Sequence, residues 1–448
     1  MKHFLPTRLI PCALLCSLSA PAAALVGGGL DSQIAPITRQ IEQKASQAAE
    51  RAREGRIEQK VEKQQIEAQT AGLRAPLEEL PATLSVLTDT GQKAFNDVLL
   101  DDGARAVERQ WLVTGTESEI AALIQPGITV LERNHLPGLG MTLARFQVTA
   151  DLDSRKALEA ALPELADRLD RNHIYAPQTG ADAIGTGAGI PQWQSLCRTP
   201  VSIGMVDTAI DTTHPVFGDA TIVQQRFLGL EETPGSLTEV LTHGTAVASL
   251  MVGQRKGSWP ARLPDATLYN ASVFYGRDTS LSGATLGHLL EGLNWLAGQE
   301  LSAINISLTG PDNRLLNTAV RALSQKGILL VAAVGNQGPA AAPLYPAAYP
   351  EVVGVTAVDA SGGLYRWANR GEQVMFAAPG VSVPVAHPQS DMVTDSGTSL
   401  AAPVIAAALA CHRVGLSEQQ ALDALISNAR DLGKPGRDTS FGHGFLDL

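Results

Sequence analysis

The stretch Gly397 to Leu409, GTSLAAPVIAAAL, constrains the fold of this chain more than any other. Its alanines, Ala401, Ala402, Ala406, Ala407 and Ala408, continue to Ala410 and leave a helix with no polar face. Such a helix has to be enclosed by other elements. Ser399 then opens a buried helix, where unpaired amides and the positive end of the helix dipole favour negative charge. Pro403 is expected in the first turn, where a missing N–H costs little. A hydroxyl at such a helix start is either a cap or a nucleophile whose developing charge is stabilised.

Three further motifs decide between these uses. VSIGMVDTAID (Val201 to Asp211), HGTAVAS (His243 to Ser249) and VAAVGNQG (Val331 to Gly338) each combine an apolar run with a polar residue at one end. Together with GTSLAAP they resemble the subtilisin-like serine proteases, the subtilases, in content, order and approximate spacing. The resemblance implies an Asp207, His243, Ser399 triad. In it His243 takes the serine proton and returns it to the leaving amine, while Asp207 orients the imidazole. It further implies an oxyanion site made by the Asn336 side chain and the Ser399 amide, and a substrate-binding strand at INISLTG, with Ser307, Leu308, Thr309 and Gly310. The first specificity pocket is expected between that strand and Ala332, Ala333, Val334 and Gly335. Thr309 and Val334 stand where smaller residues are common in the family, so a narrowed pocket favouring small or modest side chains is expected. Other departures are Ala209, Thr242 and Asp395, which bear on loop geometry and pH optimum and delete no catalytic atom.

The fold class that follows is α/β: a subtilisin-like catalytic domain with a mostly parallel sheet flanked by helices, preceded by a small α+β ferredoxin-like prodomain. From Thr199 onward, β-rich apolar runs alternate with helical segments, as a largely parallel sheet requires. Ser417 and Gln420 form a capping box for a late helix. His214, His288 and His443 are read as structural. At 448 residues and 44% hydrophobic content the chain can bury a sizeable core. Its net charge of −11, without clustered Lys and Arg, argues against nucleic-acid or anionic-membrane partners. No trusted carboxylate cluster, HExxH or CxxC is present, and no cofactor is assigned. The expected partners are a protein or peptide substrate and the chain's own prodomain.

Residues 1–24 read as a secretory signal: Lys2, His3 and Arg8 precede an apolar run, and Ala22 and Ala24 form an A-x-A cleavage pattern. Export to the periplasm or beyond is expected. Residues 25–105 are expected to be a Gln/Glu-rich helical or flexible segment. Within 106–178, strand, helix, two paired strands, helix and strand follow in the β-α-β-β-α-β order of a ferredoxin-like unit. Thr116 and Glu119 form a capping box there, and Ser154 opens the second helix. His173 and Tyr175 are expected to pack or face solvent. With this pattern and its place directly before the catalytic region, the unit resembles the subtilase propeptide, which in that family chaperones folding and inhibits the active site with its C-terminal tail. Residues 179–198 read as a linker carrying a self-processing site, between about Tyr175 and Ile190. Residues 199–448 are the catalytic domain. Cys197 and Cys411 either pair or remain two buried thiols. The readings left open are an exported endopeptidase made as a zymogen, a protease held inhibited by its prodomain, and a degenerate fold used as a scaffold.

Overall fold

Two sheets organise the chain in the computed structural model, which describes residues 81–177, 193–229, 235–255, 259–276 and 282–448. All of these lie in one compact unit, Ile66–Leu448. The expected signal, most of the segment expected at 25–105 and most of the processing linker fall outside the described residues.

The N-terminal sheet begins with β1 (Thr83–Leu87) and β2 (Lys93–Leu99). It continues through β3 (Arg105–Thr114), β4 (Ile128–Leu136), β5 (Met141–Val148) and β6 (Leu169–Pro177). Between β3 and β4 lies a single turn, α1 (Glu117–Ile120), closed by the expected Thr116–Glu119 capping box. Between β5 and β6 lies α2 (Arg155–Ala161), capped by Ser154. Pairings β4–β5, β5–β3 and β3–β6 give the antiparallel order of a ferredoxin-like unit. Along β3, Trp111 and Val113 face the unit's own core with Phe146 and Leu158. Leu112 faces the other way, as period-two alternation requires. The hairpin of β1 and β2 extends this sheet where a helical or flexible segment was expected. Its strands gain stability from pairing with β3 and from packing of Val86 and Phe95 against the distant Leu228, Leu237 and Tyr275, contacts that composition does not register.

The catalytic-type sheet has the order β16-β15-β14-β12-β7-β9-β8. Its strands are β7 (Ser202–Asp207), β8 (Thr221–Arg226), β9 (Thr267–Ser272), β12 (Ala303–Ile306), β14 (Leu329–Ala333), β15 (Val352–Val358) and β16 (Val374–Pro379). Every pairing within it is parallel, so both faces must be covered. On one face Ile203, Met205 and Val331 pack with helices α3 (Thr242–Val252) and α6 (Thr398–His412). On the other, Val206, Ile304 and Leu330 pack with α4 (Leu286–Ala297) and α5 (Arg314–Gln325). The same second layer takes in Leu112, Leu136, Leu139 and Met141 of the N-terminal unit, which therefore sits on α4 and α5. The helix α7 (Glu418–Asn428) has its expected Ser417–Gln420 capping box. Cys197 and Cys411 form a disulfide across 214 residues of chain. It fastens the segment before β7 to the end of α6.

The small strands β10 (Tyr275–Gly276), β11 (Ser282–Thr285) and β13 (Leu308–Thr309) join the two units, because each pairs with β6 or with a neighbour of it. A two-stranded ribbon, β17 (Val383–His387) and β18 (Ser390–Asp395), completes the sheets and leads into α6. Among the described residues no helix is long and apolar enough to cross a membrane.

Candidate active site

Three adjacent strands of the parallel sheet, β14, β12 and β7, end at Asn336, Ser307 and Asp207 within a few residues of their carboxyl termini. Loops leave the rigid scaffold on that edge, which is where open α/β sheets place functional groups. Asp207 is fully buried, and its Oδ1 lies 2.7 Å from His243 Nδ1. The Thr208 amide also donates to that oxygen, at 2.6 Å. His243 lies in the first turn of α3, and the approach is set by Gly244, whose amide donates to Thr208 Oγ1 at 2.7 Å. A Cβ on Gly244 would lie 2.4 Å from the Thr208 carbonyl oxygen, so only glycine lets this helix start so close to the loop.

The electrostatics of the pair follow from burial. Desolvation works against a charged imidazole, but the charge and hydrogen bond of Asp207, helped by the charge of Asp395, outweigh it. The His243 pKa is raised above its ordinary value. Its other nitrogen, Nε2, is buried and has no hydrogen-bond partner among the described residues, so the Ser399 hydroxyl is not bonded to it here. Catalytic hydrogen bonds often close only around substrate.

Ser399 is buried at the start of α6. The expected cap is displaced: the helix begins at Thr398, with Gly397 in the cap position and no capping side chain of its own. The cap comes from a distant loop, since Asn336 Oδ1 accepts from the Thr398 amide at 3.0 Å and from its hydroxyl at 2.9 Å. Thr398 Oγ1 in turn accepts from the Gly335 amide at 3.2 Å. Pro403 accordingly lies inside α6 and not in its first turn. It cannot donate to the carbonyl four residues earlier, that of Ser399. Ser307 Oγ fills that place by donating to the Ser399 carbonyl at 3.0 Å, while Asn305 Nδ2 donates to Ser307 Oγ at 2.8 Å.

The substrate-side residues divide into two groups. Leu308 and Thr309 pair antiparallel with Pro177 and Ala176, so β6 occupies the strand expected to receive a peptide. On its other edge Tyr175 and Ile174 pair with Ala284 and Thr285 of β11. Tyr175 is fully buried against Gly310, where a Cβ would start 2.3 Å from its ring, and its hydroxyl donates to the Pro311 carbonyl at 3.2 Å. Ala332 and Val334 point into the core layer shared with Val352 and Val374, and Ala333 points into the opposite layer. Val334 therefore spends its bulk on the core.

Sequence reasoning passed over the supporting polar residues. Asn270 Nδ2 donates to the Thr208 carbonyl at 3.0 Å and to Gln224 Oε1 at 2.8 Å, and that oxygen also accepts from the Ile210 amide. Asn369 Oδ1 accepts from the Gln337 amide at 2.8 Å and steadies the loop that carries Asn336. These residues come from separate strands and loops, so no local pattern marks them. Thr208, beside Asp207, was the one with a visible signal.

The profile of the subtilase family matches residues 198–444. Subtilisin amylosacchariticus of Bacillus subtilis subsp. amylosacchariticus is 30% identical over 313 residues, covering 67% of this chain and 78% of its own. Minor extracellular protease Epr of Bacillus subtilis (strain 168) is 34% identical over 209 residues, covering 46% of this chain. The match spans only 32% of the length of Epr. Fervidolysin from Fervidobacterium pennivorans, described as a keratinolytic enzyme related to subtilisin, superposes with a TM-score of 0.62. At 20% identity over 84% of this chain and 64% of that one, it is a likeness of fold.

Proposed function

The chain belongs to the subtilase family of serine-type endopeptidases, and from that premise we propose that it is an exported zymogen that cuts itself through Asp207, His243 and Ser399. The observation that carries the proposal is the course of β6. It leaves the N-terminal unit and runs between β11 and β13 as an added strand, held by backbone pairing as a bound peptide would be.

In this reading Ser399 Oγ attacks the peptide carbonyl carbon and its proton passes to His243 Nε2. Asp207 holds the ring in the tautomer that leaves Nε2 basic and stabilises the imidazolium that forms. The tetrahedral oxyanion takes hydrogen bonds from the Ser399 amide and from Asn336 Nδ2. Thr398 fixes the other end of that amide group. As the C–N bond breaks, His243 returns the proton to the amine. Water then attacks the acyl-enzyme by the same route and releases the acid.

The N-terminal unit acts as the prodomain, with β6 as its inhibitory end. Pro177, the last described residue of β6, pairs with Leu308, next to Ser307, whose hydroxyl holds the Ser399 carbonyl. The proposed cleavage lies in the chain beyond Pro177, before about Ile190. With Val334 turned into the core, narrowing of the first pocket rests on Thr309. Faster cleavage after Phe or Tyr than after Ala in a peptide panel would refute it.

Intact mass of the wild type and of Ser399→Ala tests the central claim. A wild type cut between Pro177 and about Ile190 and an uncut variant support it. Two uncut chains would leave an inhibited protease or a scaffold in its place.

A further inference from the structure

Among the described residues the carboxylate of Asp207 is held through a single oxygen. Oδ1 accepts from the Thr208 amide at 2.6 Å and lies 2.7 Å from His243 Nδ1, whereas Oδ2 is buried and has no hydrogen-bond partner there. The orientation of the carboxylate therefore depends on where Thr208 sits. Thr208 also reaches the helix of His243, because its Oγ1 accepts from the Gly244 amide at 2.7 Å. Whatever fixes Thr208 thus fixes the alignment of both partners.

Two side chains from neighbouring strands do this. Asn270, fully buried on β9, stands in register between Met205 of β7 and Gln224 of β8. Its Nδ2 donates to the Thr208 carbonyl at 3.0 Å and to Gln224 Oε1 at 2.8 Å. Gln224 Oε1 also accepts from the Ile210 amide at 2.6 Å, so the turn after Asp207 is tied at two points to one pair of side-chain amides. The amides between and beyond go elsewhere, Ala209 to the Val240 carbonyl at 3.0 Å and Asp211 to Thr245 Oγ1 at 2.9 Å. Asn270 makes its bonds at a cost. Its Oδ1 is buried without a partner among the described residues, a penalty that an apolar residue in this layer, beside Met205 and Leu268, would not carry. Core packing alone gives no reason for an asparagine here.

We propose that Asn270 and Gln224 are positioning residues, which hold the turn at Thr208 so that Asp207 Oδ1 stays within hydrogen-bond distance of His243 Nδ1. The inference rests on the reading of Asp207, His243 and Ser399 as the triad. The charges that face His243 are Asp207 at the end of β7 and Asp395 at the end of β18. Both positioning side chains are neutral, so they act on His243 through geometry. With either one removed, the Thr208 carbonyl or the Ile210 amide is released and the Asp207–His243 bond lengthens. The imidazolium that forms when Ser399 gives up its proton is then less stabilised, which lowers kcat. The strand at Leu308 and Thr309 is untouched, so KM changes little.

The test compares Gln224→Ala, Gln224→Glu and Asn270→Leu with the wild type on one chromogenic peptide, with active sites counted by a serine-directed fluorophosphonate. Gln224 lies on the exposed edge strand, where substitution puts the fold at little risk. Gln224→Ala should lower kcat about fivefold and Asn270→Leu about tenfold or more, with KM within about twofold of wild type. The acid limb of kcat/KM should move to lower pH in both. Gln224→Glu keeps an acceptor for both donors and should restore most of kcat. In the full Ser399→Ala chain, the low-field proton resonance of His243 Nδ1–H should weaken in Gln224→Ala and return in Gln224→Glu, a readout that needs no turnover. A Gln224→Ala chain with unaltered kcat, acid limb and resonance would overturn the proposal, as would a Gln224→Glu chain no better than Gln224→Ala. Asp207→Asn separates the underlying reading: turnover near wild type there would sink the triad itself. Lost turnover in Asp207→Asn beside an unaffected Gln224→Ala strikes the positioning role alone.

Discussion

Ser307 donates its hydroxyl to the carbonyl oxygen of Ser399 at 3.0 Å, across 92 residues of sequence. The bond exists because Pro403, inside α6, has no N–H to offer that carbonyl. A residue from the end of β12 thereby fixes the turn of helix that holds the proposed nucleophile.

Removing this bond has a predictable cost. Ser307→Ala should destabilise the chain by about 1–3 kcal/mol, the penalty for a buried carbonyl left without a donor. Pro403→Ala restores an amide at that position, so the cost of Ser307→Ala should fall by at least half in its background. Urea unfolding of the four combinations, in a Ser399→Ala chain to prevent digestion, measures the coupling. Equal costs in both backgrounds would show that the two residues do not share the carbonyl.

Asn336 has an observed bond to Thr398 and a proposed place in the oxyanion site, and the two separate experimentally. Asn336→Ala should lower turnover by about 10²–10³, a magnitude that itself derives from a subtilisin. It also removes the acceptor for the Thr398 amide, so stability should fall by about 1 kcal/mol, as for a lost helix cap. More than a tenth of wild-type turnover would remove Asn336 from the oxyanion site.

Acidity should limit activity from above the ordinary histidine range. His243 has to be neutral to accept a proton, and its pKa is raised in spite of burial by Asp207 and then Asp395. Activity is accordingly lost as pH falls through a value higher than about 6.5. Asp395→Asn removes one raising charge and should move the acid limb of kcat/KM to lower pH. A limb unmoved or shifted upward would contradict the role of Asp395.

His288 links pH to the stability of the uncut chain. Burial, and then the charge of Arg145 from the N-terminal unit, depress its pKa to about 4, against the opposing Gly229 carbonyl and Glu132. The folded state therefore binds fewer protons than the unfolded one between about pH 6.5 and 4. The stability that His288 contributes is complete above that window and is lost as pH falls through it, on the order of 3 kcal/mol. His288→Gln in the Ser399→Ala chain should flatten the urea midpoint across that window relative to the unsubstituted histidine. Parallel profiles would exclude the linkage.

Much of this protein is readable in short segments. The apolar runs before Asp207 and Asn336, the capping boxes at Thr116 and Ser417, and the all-apolar Ala401–Ala410 helix each declare themselves within a dozen residues. Hydrogen bonding and burial act locally there. The hairpin at residues 83–99 was hidden because its strands are stabilised by β3 and by Leu237, not by their own composition. Tyr175, expected from sequence to pack or to face solvent, is fully buried and fills the space beside Gly310.

Sequence by itself made legible the parallel sheet and the strand and helix order of the N-terminal unit, and its motifs singled out Asp207, His243, Asn336 and Ser399 as the candidate site. Each follows from a local period or from a motif that survives as a string. Only the tertiary structure decided that Cys197 meets Cys411, that Asn336 caps the helix of Ser399, and that Ser307 replaces the donor Pro403 lacks. These are contacts between groups far apart in the chain. Their formation depends on where the packed layers bring backbone atoms within bonding distance, and no window of sequence contains that distance.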